Sequence, residues 1–282
     1  MSLVSTGELV AEARDAGHGV AAFNVITLEH AEAVALGAER AGLPAILQIS
    51  ENAVRFHGGR LAPIAAASAA VARASTARLS LHLDHVTDVD LLRASHAEGF
   101  SSVMFDASKL TYDENVKTTA DAVRWGHERG IWVEAELGRV GGKEGEAPLD
   151  AHAPGVRTDP AEAAAYVAGT GVDALAVAVG SSHAMTERTA ALDHELIGSL
   201  AAAVPVPLVL HGSSGVPDEE IRRAIAAGMV KINVGTALNT AFTGEVRGYL
   251  AAHTTGVDPR KYLAPAREAM AGTVTGFLGL LK

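Results

Sequence analysis

Short apolar runs alternate with longer amphipathic stretches rich in alanine along the whole chain. The short runs have the length and apolar interiors typical of buried strands, and the longer stretches have helical periodicity. Several stretches begin with proline or aspartate signals and end in glycine, as helices do. Strand and helix repeated eight times predict an α/β fold, a parallel (β/α)₈ TIM barrel. The predicted strands are Val20–Val25, Ala45–Ser50, Leu79–Asp84, Ser102–Asp106, Ile131–Leu137, Ala174–Val179, Pro207–Leu210 and Val230–Val234. The predicted helices include Leu28–Ala41, Ala62–Ala74, Asp88–Glu98, Tyr112–Arg129, Pro160–Thr170, Asp193–Ala203 and Asp218–Ala227.

Two stretches interrupt this rhythm. Gly138–Val156, rich in glycine, proline and charged residues, is predicted to be a long loop of the kind that forms lids or binding loops. Ala237–Lys282 is predicted to be a helical tail interrupted at Thr254–Arg260. We therefore expect one TIM-barrel domain over residues 1–282, with residues 237–282 packing on or beyond the barrel. A doubly wound open sheet is the alternative, but the even strand count and the lack of a G-x-G-x-x-G run after the first strand favour the barrel.

Composition excludes several classes of protein. The 282 residues suit a single barrel, and 48% hydrophobic residues with 20% charged ones exclude global disorder. The net charge of −10 includes no basic block, so we expect no nucleic-acid partner. No apolar run approaches the roughly 20 residues that span a bilayer, so we expect no membrane partner. The lack of cysteine excludes disulfides, thiolate metal sites and cysteine nucleophiles, and together with an N-terminus unlike a signal peptide it predicts a cytoplasmic protein.

Polar, ligand-type residues stand where the predicted strands end. In a TIM barrel the chemistry gathers at this carboxyl-terminal face, because the loops that follow the strands meet there. The interiors of the same strands are mostly Val, Leu, Ile and Ala. We therefore predict the active site at this end of the barrel. The strand ends read Asn24, Ser50, Asp84-His85, Asp106, Glu134 with Glu136, Gly180–His183, His211-Gly212 and Asn233.

Three of these residues are histidines, His85, His183 and His211. Neutral imidazoles from three strands can converge on one divalent ion and leave positions open for substrate or water. Single histidines at strand ends often cap loops instead. Three of them at one end of one barrel favour a catalytic metal site.

Carboxylates accompany these histidines. Strand alternation places Asp84 on the same face as His82, where it is predicted to act either as a general acid or base or as an orienting partner of a metal-bound histidine. Glu134 and Glu136 share a face of the fifth strand and need cations there, which a metal or Lys231 can supply. For Glu136 and Asp106 the more specific hypothesis is that their carboxylates lie close to the metal.

Two loops rich in small residues follow the seventh and eighth strands, Gly212–Gly215 and Asn233–Thr236. Small residues let backbone N–H groups approach an anion, and the helix N-termini that follow favour negative charge. Loops in these two places commonly bind phosphate in TIM barrels. We therefore predict a phosphorylated substrate.

At these residues the sequence resembles the class II, metal-dependent fructose-bisphosphate aldolases, and within them the tagatose-bisphosphate aldolase branch. The likeness covers essentially the whole chain in order. The runs that carry it are Ala22-Phe23-Asn24-Val25, His82-Leu83-Asp84-His85, Val103–Ser108, Val133–Gly138, Gly141-Gly142-Lys143-Glu144, His211–Gly215, Lys231-Ile232-Asn233-Val234 and Asp258–Leu263.

The resemblance implies a role for each matching position. His85, His183 and His211 match zinc ligands, and Asp106 and Glu136 match carboxylates that hold the ion in an alternative position. Asp84 matches the acid that serves the aldehyde oxygen, and Glu144 the base that takes a proton from dihydroxyacetone phosphate. The resemblance further implies a monovalent cation, and a homodimer or homotetramer in which Arg260 reaches a neighbouring subunit's site. The substrate-binding positions are Asn24, Ser50, Ala184, Gly212, Ser213, Ser214, Asn233, Val234, Gly235, Thr236 and Arg260.

Two positions depart from the family pattern. Ala184 stands where a glycine normally lets the backbone approach the substrate, and Gly235 stands where fructose-bisphosphate enzymes often carry aspartate. The predicted reaction is reversible aldol cleavage of a ketose 1,6-bisphosphate, of the fructose or tagatose type, to dihydroxyacetone phosphate and an aldehyde such as glyceraldehyde 3-phosphate. The alternatives are a related aldolase with another aldehyde partner, a Schiff-base aldolase that uses Lys231, and a phosphosugar-binding barrel without turnover. A metal-dependent phosphosugar isomerase or epimerase is an alternative on fold alone.

Overall fold

Eight parallel strands close into a barrel in which each strand pairs with the next and β8 pairs with β1. The computed structural model describes residues 3–138, 140–142 and 156–282. Closure confirms the predicted TIM barrel and excludes the open sheet. The strands are β1 Val20–Asn24, β2 Ala45–Ser50, β3 Leu79–Val86, β4 Ser102–Phe105, β5 Trp132–Leu137, β6 Ala174–Val177, β7 Leu208–Leu210 and β8 Met229–Val234.

Eleven α-helices are assigned within the described ranges, and all seven predicted helices are present within a few residues. Two helices were not predicted. α1 precedes the first strand, and the short α3 follows β2 directly, with Ser50 as its N-cap. The helices are α1 Thr6–Asp15, α2 Leu28–Ala41, α3 Glu51–Phe56, α4 Leu61–Ala74, α5 Val89–Ala97, α6 Tyr112–His127, α7 Pro160–Thr170, α8 His194–Ala203, α9 Asp218–Ala226, α10 Thr236–Ala252 and α11 Arg260–Leu280. None of them is long and apolar enough to cross a membrane.

The predicted helical tail consists of α10 and α11, which are separated as expected around residues 253–259. α11 packs against α2 and α10 on the outside of the barrel. The approach to α2 is close, because a Cβ atom at Gly37 would lie 2.6 Å from the Cβ of Val274. Glycine at this position therefore lets the tail lie directly on the barrel's helical layer.

α1 covers the amino-terminal end of the barrel. Its Leu9 and Val10 are buried against Val20, Ala22 and Ile46 in a cluster separate from the main core. The main core lies between the outer face of the strands and the helices. α1 thus closes the barrel at the end opposite the predicted site.

The middle of the barrel interior is polar instead of apolar. Gln48, His82, Glu134 and Lys231 point inward from four different strands and are at most 1% exposed. Barrel interiors are filled by side chains in layers, so these groups must satisfy one another. They lie directly beneath the strand ends that carry the predicted site.

A bulge in β3 shapes the site. Leu83 pairs with Val103 and Val86 pairs with Phe105, so two residues of β3, Asp84 and His85, stand opposite one residue of β4. His85 has a φ of 49°, in the left-handed region that non-glycine residues rarely adopt. Strict alternation would put neighbouring side chains on opposite faces. The bulge instead brings both Asp84 and His85 to the mouth of the barrel.

Candidate active site

One cavity of about 990 Å³ opens at the carboxyl-terminal face of the barrel. Most of the predicted site residues meet there. His211 and Glu136 lie at its base and are buried, Ser213 and Val234 lie behind the loops, and Arg260 is outside. The predicted residues that line the cavity are Asn24, Ser50, Asp84, His85, Asp106, His183, Ala184, Gly212, Ser214, Asn233, Gly235 and Thr236.

The three predicted metal-binding histidines converge. Their ring centroids lie 5.2 Å apart for His85 and His183, 4.9 Å for His85 and His211, and 5.7 Å for His183 and His211. One ligand atom from each of them and one from Glu136 all lie within 4.8 Å of one another. Three imidazoles with a carboxylate form a donor set suited to a divalent metal, and the open cavity above it matches a catalytic centre. The residues present therefore fit a metal ion.

Carboxylates orient two of these rings. His85 Nδ1 lies 2.8 Å from Asp106 Oδ2, so the Nε2 edge of His85 is available to a metal. His211 lies between two carboxylates, with Nε2 2.9 Å from Glu134 Oε1 and Nδ1 3.1 Å from Glu136 Oε2. Such contacts set the tautomer and raise the basicity of metal-binding histidines. Asp106 lies outside the converging group and contacts the edge of His85, while Glu136 lies within the group.

The charge on His211 follows from its surroundings. Burial alone would lower the pKa of His211, but hydrogen bonds to Glu134 and Glu136 outweigh it and raise the pKa to about 9. The pKa of Glu134 is lowered to about 2, because Lys231 and His211 outweigh the effect of burial. A metal binds imidazole only in its neutral form, so metal binding at His211 displaces a proton.

Asp84 is buried beside this centre, with Oδ2 3.9 Å from His85 Nε2. Burial would raise the pKa of Asp84, but His85, His82 and His211 outweigh burial and lower it. The carboxylate is therefore ionised and able to accept a proton. Gln48 Nε2 donates to Asp84 Oδ2 at 3.0 Å and to Asn24 Oδ1 at 3.0 Å. Sequence reasoning missed Gln48, although a lone amide between apolar neighbours in β2 is a usable signal.

Lys231 does not line the cavity. Its Nζ lies 2.9 Å from Glu134 Oε2, 2.8 Å from Asn233 Oδ1 and 3.3 Å from Gln48 Oε1. The contacts with Asn233 and Gln48 are hydrogen bonds and the contact with Glu134 is an ion pair, so all three engage the ammonium group inside the barrel. Lys231 is thus a structural counter-ion of the polar interior, and the geometry disfavours the Schiff-base alternative.

Replacing Lys231 by methionine is expected to lower the free energy of unfolding by about 3–5 kcal/mol, because the buried Glu134 would lose its ammonium partner and keep the charge that His211 shares with Glu136. Chemical denaturation monitored by circular dichroism measures this change. Lys117→Met on the exposed face of α6 is the matched control, and we expect it to stay within about 0.5 kcal/mol of the unsubstituted protein. Equal stability of the two variants would show that the ion pair contributes nothing.

The two predicted phosphate loops are joined. Ser214 Oγ accepts hydrogen bonds from the backbone N–H groups of Gly235 at 3.3 Å and Ala237 at 3.1 Å. Gly212 has a φ of 68° and begins a 3₁₀ turn, and a Cβ atom there would lie 2.4 Å from the carbonyl oxygen of Ser182. The N-terminus of α10 opens beside this turn. The loops and the helix together form a backbone cradle suited to an anion.

Three further predicted site residues are Ala184, Arg260 and Glu144, and they differ in their surroundings. Ala184 lines the cavity with a φ of 57°, so it keeps the backbone conformation typical of a glycine. Arg260 is exposed and pairs with Asp258, with Nη2 2.9 Å from Oδ2. Glu144 lies outside the described residues. Gly141, among the last described residues before Glu144, contacts a predicted metal ligand, since the backbone N–H of His183 donates to the carbonyl of Gly141 at 2.7 Å.

Comparisons with known proteins agree with this geometry. Residues 4–282 match the family model described as fructose-bisphosphate aldolase class-II. The chain is 40% identical to the fructose-bisphosphate aldolase of Geobacillus stearothermophilus over 98% of this chain and 96% of that protein. It is 41% identical to the probable fructose-bisphosphate aldolase of Bacillus subtilis over the same shares. The crystal structure of the YdjI aldolase from Escherichia coli K12 superposes with a TM-score of 0.84 at 30% identity, over 99% of this chain and 97% of that one.

The TIM barrel, the convergence of three histidines and the family match identify a metal-dependent carbon–carbon lyase of a family that acts on phosphorylated sugars. The chain belongs to the class II fructose-bisphosphate aldolase family. This confirms the resemblance to the class II family and aldol cleavage as the reaction, whereas the tagatose-bisphosphate branch and the roles of the site residues stay predictions.

Proposed function

We propose that the enzyme reversibly cleaves a ketose 1,6-bisphosphate of the fructose or tagatose type into dihydroxyacetone phosphate and glyceraldehyde 3-phosphate, with Zn²⁺ as its metal. The observation that carries the proposal is the convergence of His85, His183 and His211 beside Asp84 and the joined phosphate loops. Three imidazoles are a donor set typical of catalytic zinc.

A divalent metal in this centre supplies a Lewis acid that polarises the ketone and stabilises the negative charge of the enediolate. His85, His183, His211 and, in an alternative position, Glu136 would hold it. Asp106 and Glu134 orient the rings of His85 and His211 through the contacts described above. The protein thus arranges the ligands before any substrate binds.

Two carboxylates move protons. In the cleavage direction Asp84 accepts the proton of the C4 hydroxyl group while the C3–C4 bond breaks and C4 becomes the aldehyde. Glu144 then gives a proton to C3 of the enediolate, which completes dihydroxyacetone phosphate. Condensation runs through the same steps in reverse, with Glu144 as base and Asp84 as acid. Gln48 supports Asp84 by its hydrogen bond to Oδ2.

The two phosphates bind at opposite sides of the mouth. The cradle of Gly212–Ser214 and Asn233–Thr236 takes the phosphate of dihydroxyacetone phosphate, with a monovalent cation beside it. Asn24 and Ser50 take the far phosphate together with Arg260 of a neighbouring subunit, in a homodimer or homotetramer. Arg260 is exposed at the start of α11 and does not line the cavity of its own chain, which supports this arrangement. We place the enzyme in the cytoplasm, where such substrates occur.

The test is a coupled triose-phosphate assay on fructose 1,6-bisphosphate and tagatose 1,6-bisphosphate, with and without chelator. We expect release of triose phosphate from at least one of the two sugars and loss of that activity in chelator. Borohydride added with substrate should trap no adduct at Lys231, since its amine is engaged within the barrel.

Other outcomes of this assay identify the alternatives. Activity that survives chelation and is lost to borohydride would favour the Schiff-base aldolase. Binding of both sugars without triose release, and without condensation of dihydroxyacetone phosphate with other aldehydes, would favour a binding protein. Condensation with other aldehydes alone would identify an aldolase for a different partner. Gly235 bears on the choice of aldehyde partner. A Cβ atom at this position would lie 3.1 Å from Asn24 Oδ1, so a side chain there would reduce the space beside Asn24, which we assign to the aldehyde end of the substrate.

A further inference from the structure

A column of hydrogen-bonded side chains runs from α1 at the floor of the barrel to the base of the active site. Thr6 Oγ1 lies 3.0 Å from Ser80 Oγ and accepts from Ser102 Oγ at 2.6 Å. Ser102 Oγ in turn lies 2.8 Å from His82 Nδ1. All four side chains are fully buried. The column therefore connects the first residue of α1 with a histidine beneath the site.

The column determines the tautomer of His82. Burial and the charge of Lys231 lower the pKa of His82, so the ring is neutral and carries one proton. Ser102 has a single hydroxyl proton and donates it to Thr6 Oγ1 at 2.6 Å in preference to the Leu81 carbonyl at 3.4 Å, so Ser102 accepts from His82. The proton of His82 therefore lies on Nδ1, and Nε2 presents a lone pair.

Nε2 of His82 faces two carboxylate oxygens. Asp84 Oδ1 lies 3.8 Å away and Glu134 Oε2 lies 3.9 Å away, both beyond hydrogen-bond distance. Glu134 Oε2 is compensated by the Lys231 ammonium at 2.9 Å. Among the described residues, His82 Nε2, Asp84 Oδ1 and Glu134 Oε2 are all buried without a hydrogen-bond partner, and of these three atoms Glu134 Oε2 has the Lys231 ammonium beside it. Two buried acceptors thus face each other and require a donor.

We propose that His82 is a positioning residue for Asp84, held in its Nδ1–H tautomer by Ser102 and Thr6, and that one buried water donates to both His82 Nε2 and Asp84 Oδ1. A water molecule has two donors, which match the two acceptors, and polar buried sites with several partners commonly hold one. Gln48 fixes the other oxygen of Asp84, so the carboxylate is held from both sides. The inference rests on the proposed function, because it assigns α1 to the positioning of the acid used in that reaction.

The test separates two partial reactions. Cleavage needs Asp84, whereas exchange of the C3 proton of dihydroxyacetone phosphate with solvent needs Glu144 and the metal but no aldehyde. We expect Thr6→Val to lower kcat for cleavage about tenfold, the worth of one hydrogen bond to a charged group, and to leave C3 exchange within about twofold. Metal content, measured by elemental analysis, should equal that of the unsubstituted protein.

Conservative variants distinguish positioning from packing. Thr6→Ser keeps the hydroxyl and loses the methyl group, so it should retain full cleavage activity. A packing role predicts the reverse, with a loss in Thr6→Ser and full activity in Thr6→Val, which keeps the shape of threonine. Ser5→Ala is the matched control on the anchoring of α1. It removes the N-cap acceptor of the Glu8 backbone N–H, at 3.1 Å, and Ser5 is exposed one residue before the column. We expect Ser5→Ala to keep its cleavage rate.

The ring itself supplies a readout that needs no turnover. Imidazole ¹⁵N shifts, assigned through His82→Gln, should show the Nδ1–H tautomer in the unsubstituted protein. In Thr6→Val the Ser102 proton is released, so the ring should shift toward Nε2–H. An Nε2–H tautomer in the unsubstituted protein, or cleavage unaffected in Thr6→Val, would overturn the inference. An unsubstituted protein that neither cleaves either bisphosphate nor exchanges the C3 proton would instead overturn the proposed function.

Discussion

Asp84→Asn is expected to slow carbon–carbon cleavage by at least about 100-fold while leaving exchange of the C3 proton of dihydroxyacetone phosphate nearly intact. An amide cannot take the proton of the C4 hydroxyl group, whereas enediolate formation does not use Asp84 in the proposed mechanism. Asparagine keeps the shape of the side chain and an oxygen for the Gln48 hydrogen bond. The coupled triose-phosphate assay measures cleavage, and ¹H NMR in D₂O measures exchange.

Glu144→Gln should show the complementary pattern. Both exchange and cleavage depend on the base at C3, so we expect both rates to fall by at least about 100-fold. Asp88→Asn is the matched control for Asp84→Asn, because Asp88 lies four positions further along as the exposed N-cap of α5. It should leave both rates unchanged. Loss of both reactions in Asp84→Asn, at full metal content, would mean that Asp84 acts on the enediolate and not on the aldehyde.

Most of the fold could be predicted because the signals are local. Each strand carries its own apolar run, and each helix its own periodicity and terminal residues, so the order β-α repeated eight times is readable without any long-range information. The polar strand ends then define the mouth, since all parallel strands end on one face. This is why His183 and His211 could be assigned to one centre before their positions were known.

The β3 bulge could not be predicted in this way. Alternation puts Asp84 and His85 on opposite faces, and only the extra residue in β3, with His85 in the left-handed region, turns both to the mouth. Such a backbone conformation costs about 1–2 kcal/mol for a non-glycine residue. The pairing with β4 resumes beyond it, where Val86 lies opposite Phe105. Ala184, with its φ of 57°, adds a second strained position at the same site. Strain at functional sites depends on the surrounding structure and leaves little trace in the local sequence.

The pairing partners of the buried polar groups also could not be predicted from the local sequence. The sequence shows that Glu134 and Glu136 need cations, yet it offers both Lys231 and a metal. The structure assigns a different partner to each glutamate, because Lys231 pairs with Glu134 while Glu136 lies in the histidine group. α1 was missed for a related reason. Its hydrophobic face is short, and its burial depends on the open floor of the barrel, which exists only after all eight strands have closed.

His211→Ala is expected to lower the affinity for Zn²⁺ by at least about 100-fold and to abolish cleavage, because the ring is a proposed ligand of the metal and contacts two carboxylates. Isothermal titration with the metal alone measures the affinity. Thermal unfolding gives an independent readout, since a ligand that binds only the folded state raises Tm with its concentration. The unsubstituted protein should show this rise and the variant should lose most of it.

The same variant should also be less stable without metal. His211 lies between Glu134 and Glu136 and its pKa is raised to about 9, so at neutral pH its positive charge compensates two buried carboxylates. Alanine removes that charge and leaves Glu136 without it. His127→Ala is the matched control, because His127 pairs with Asp173 on the surface, far from the cavity lining. If His127→Ala and His211→Ala bound metal equally well, the three-histidine centre would be wrong. If only His211→Ala lost metal but both kept full cleavage, the metal would be structural and the proton chemistry of Asp84 and Glu144 would have to proceed without a Lewis acid.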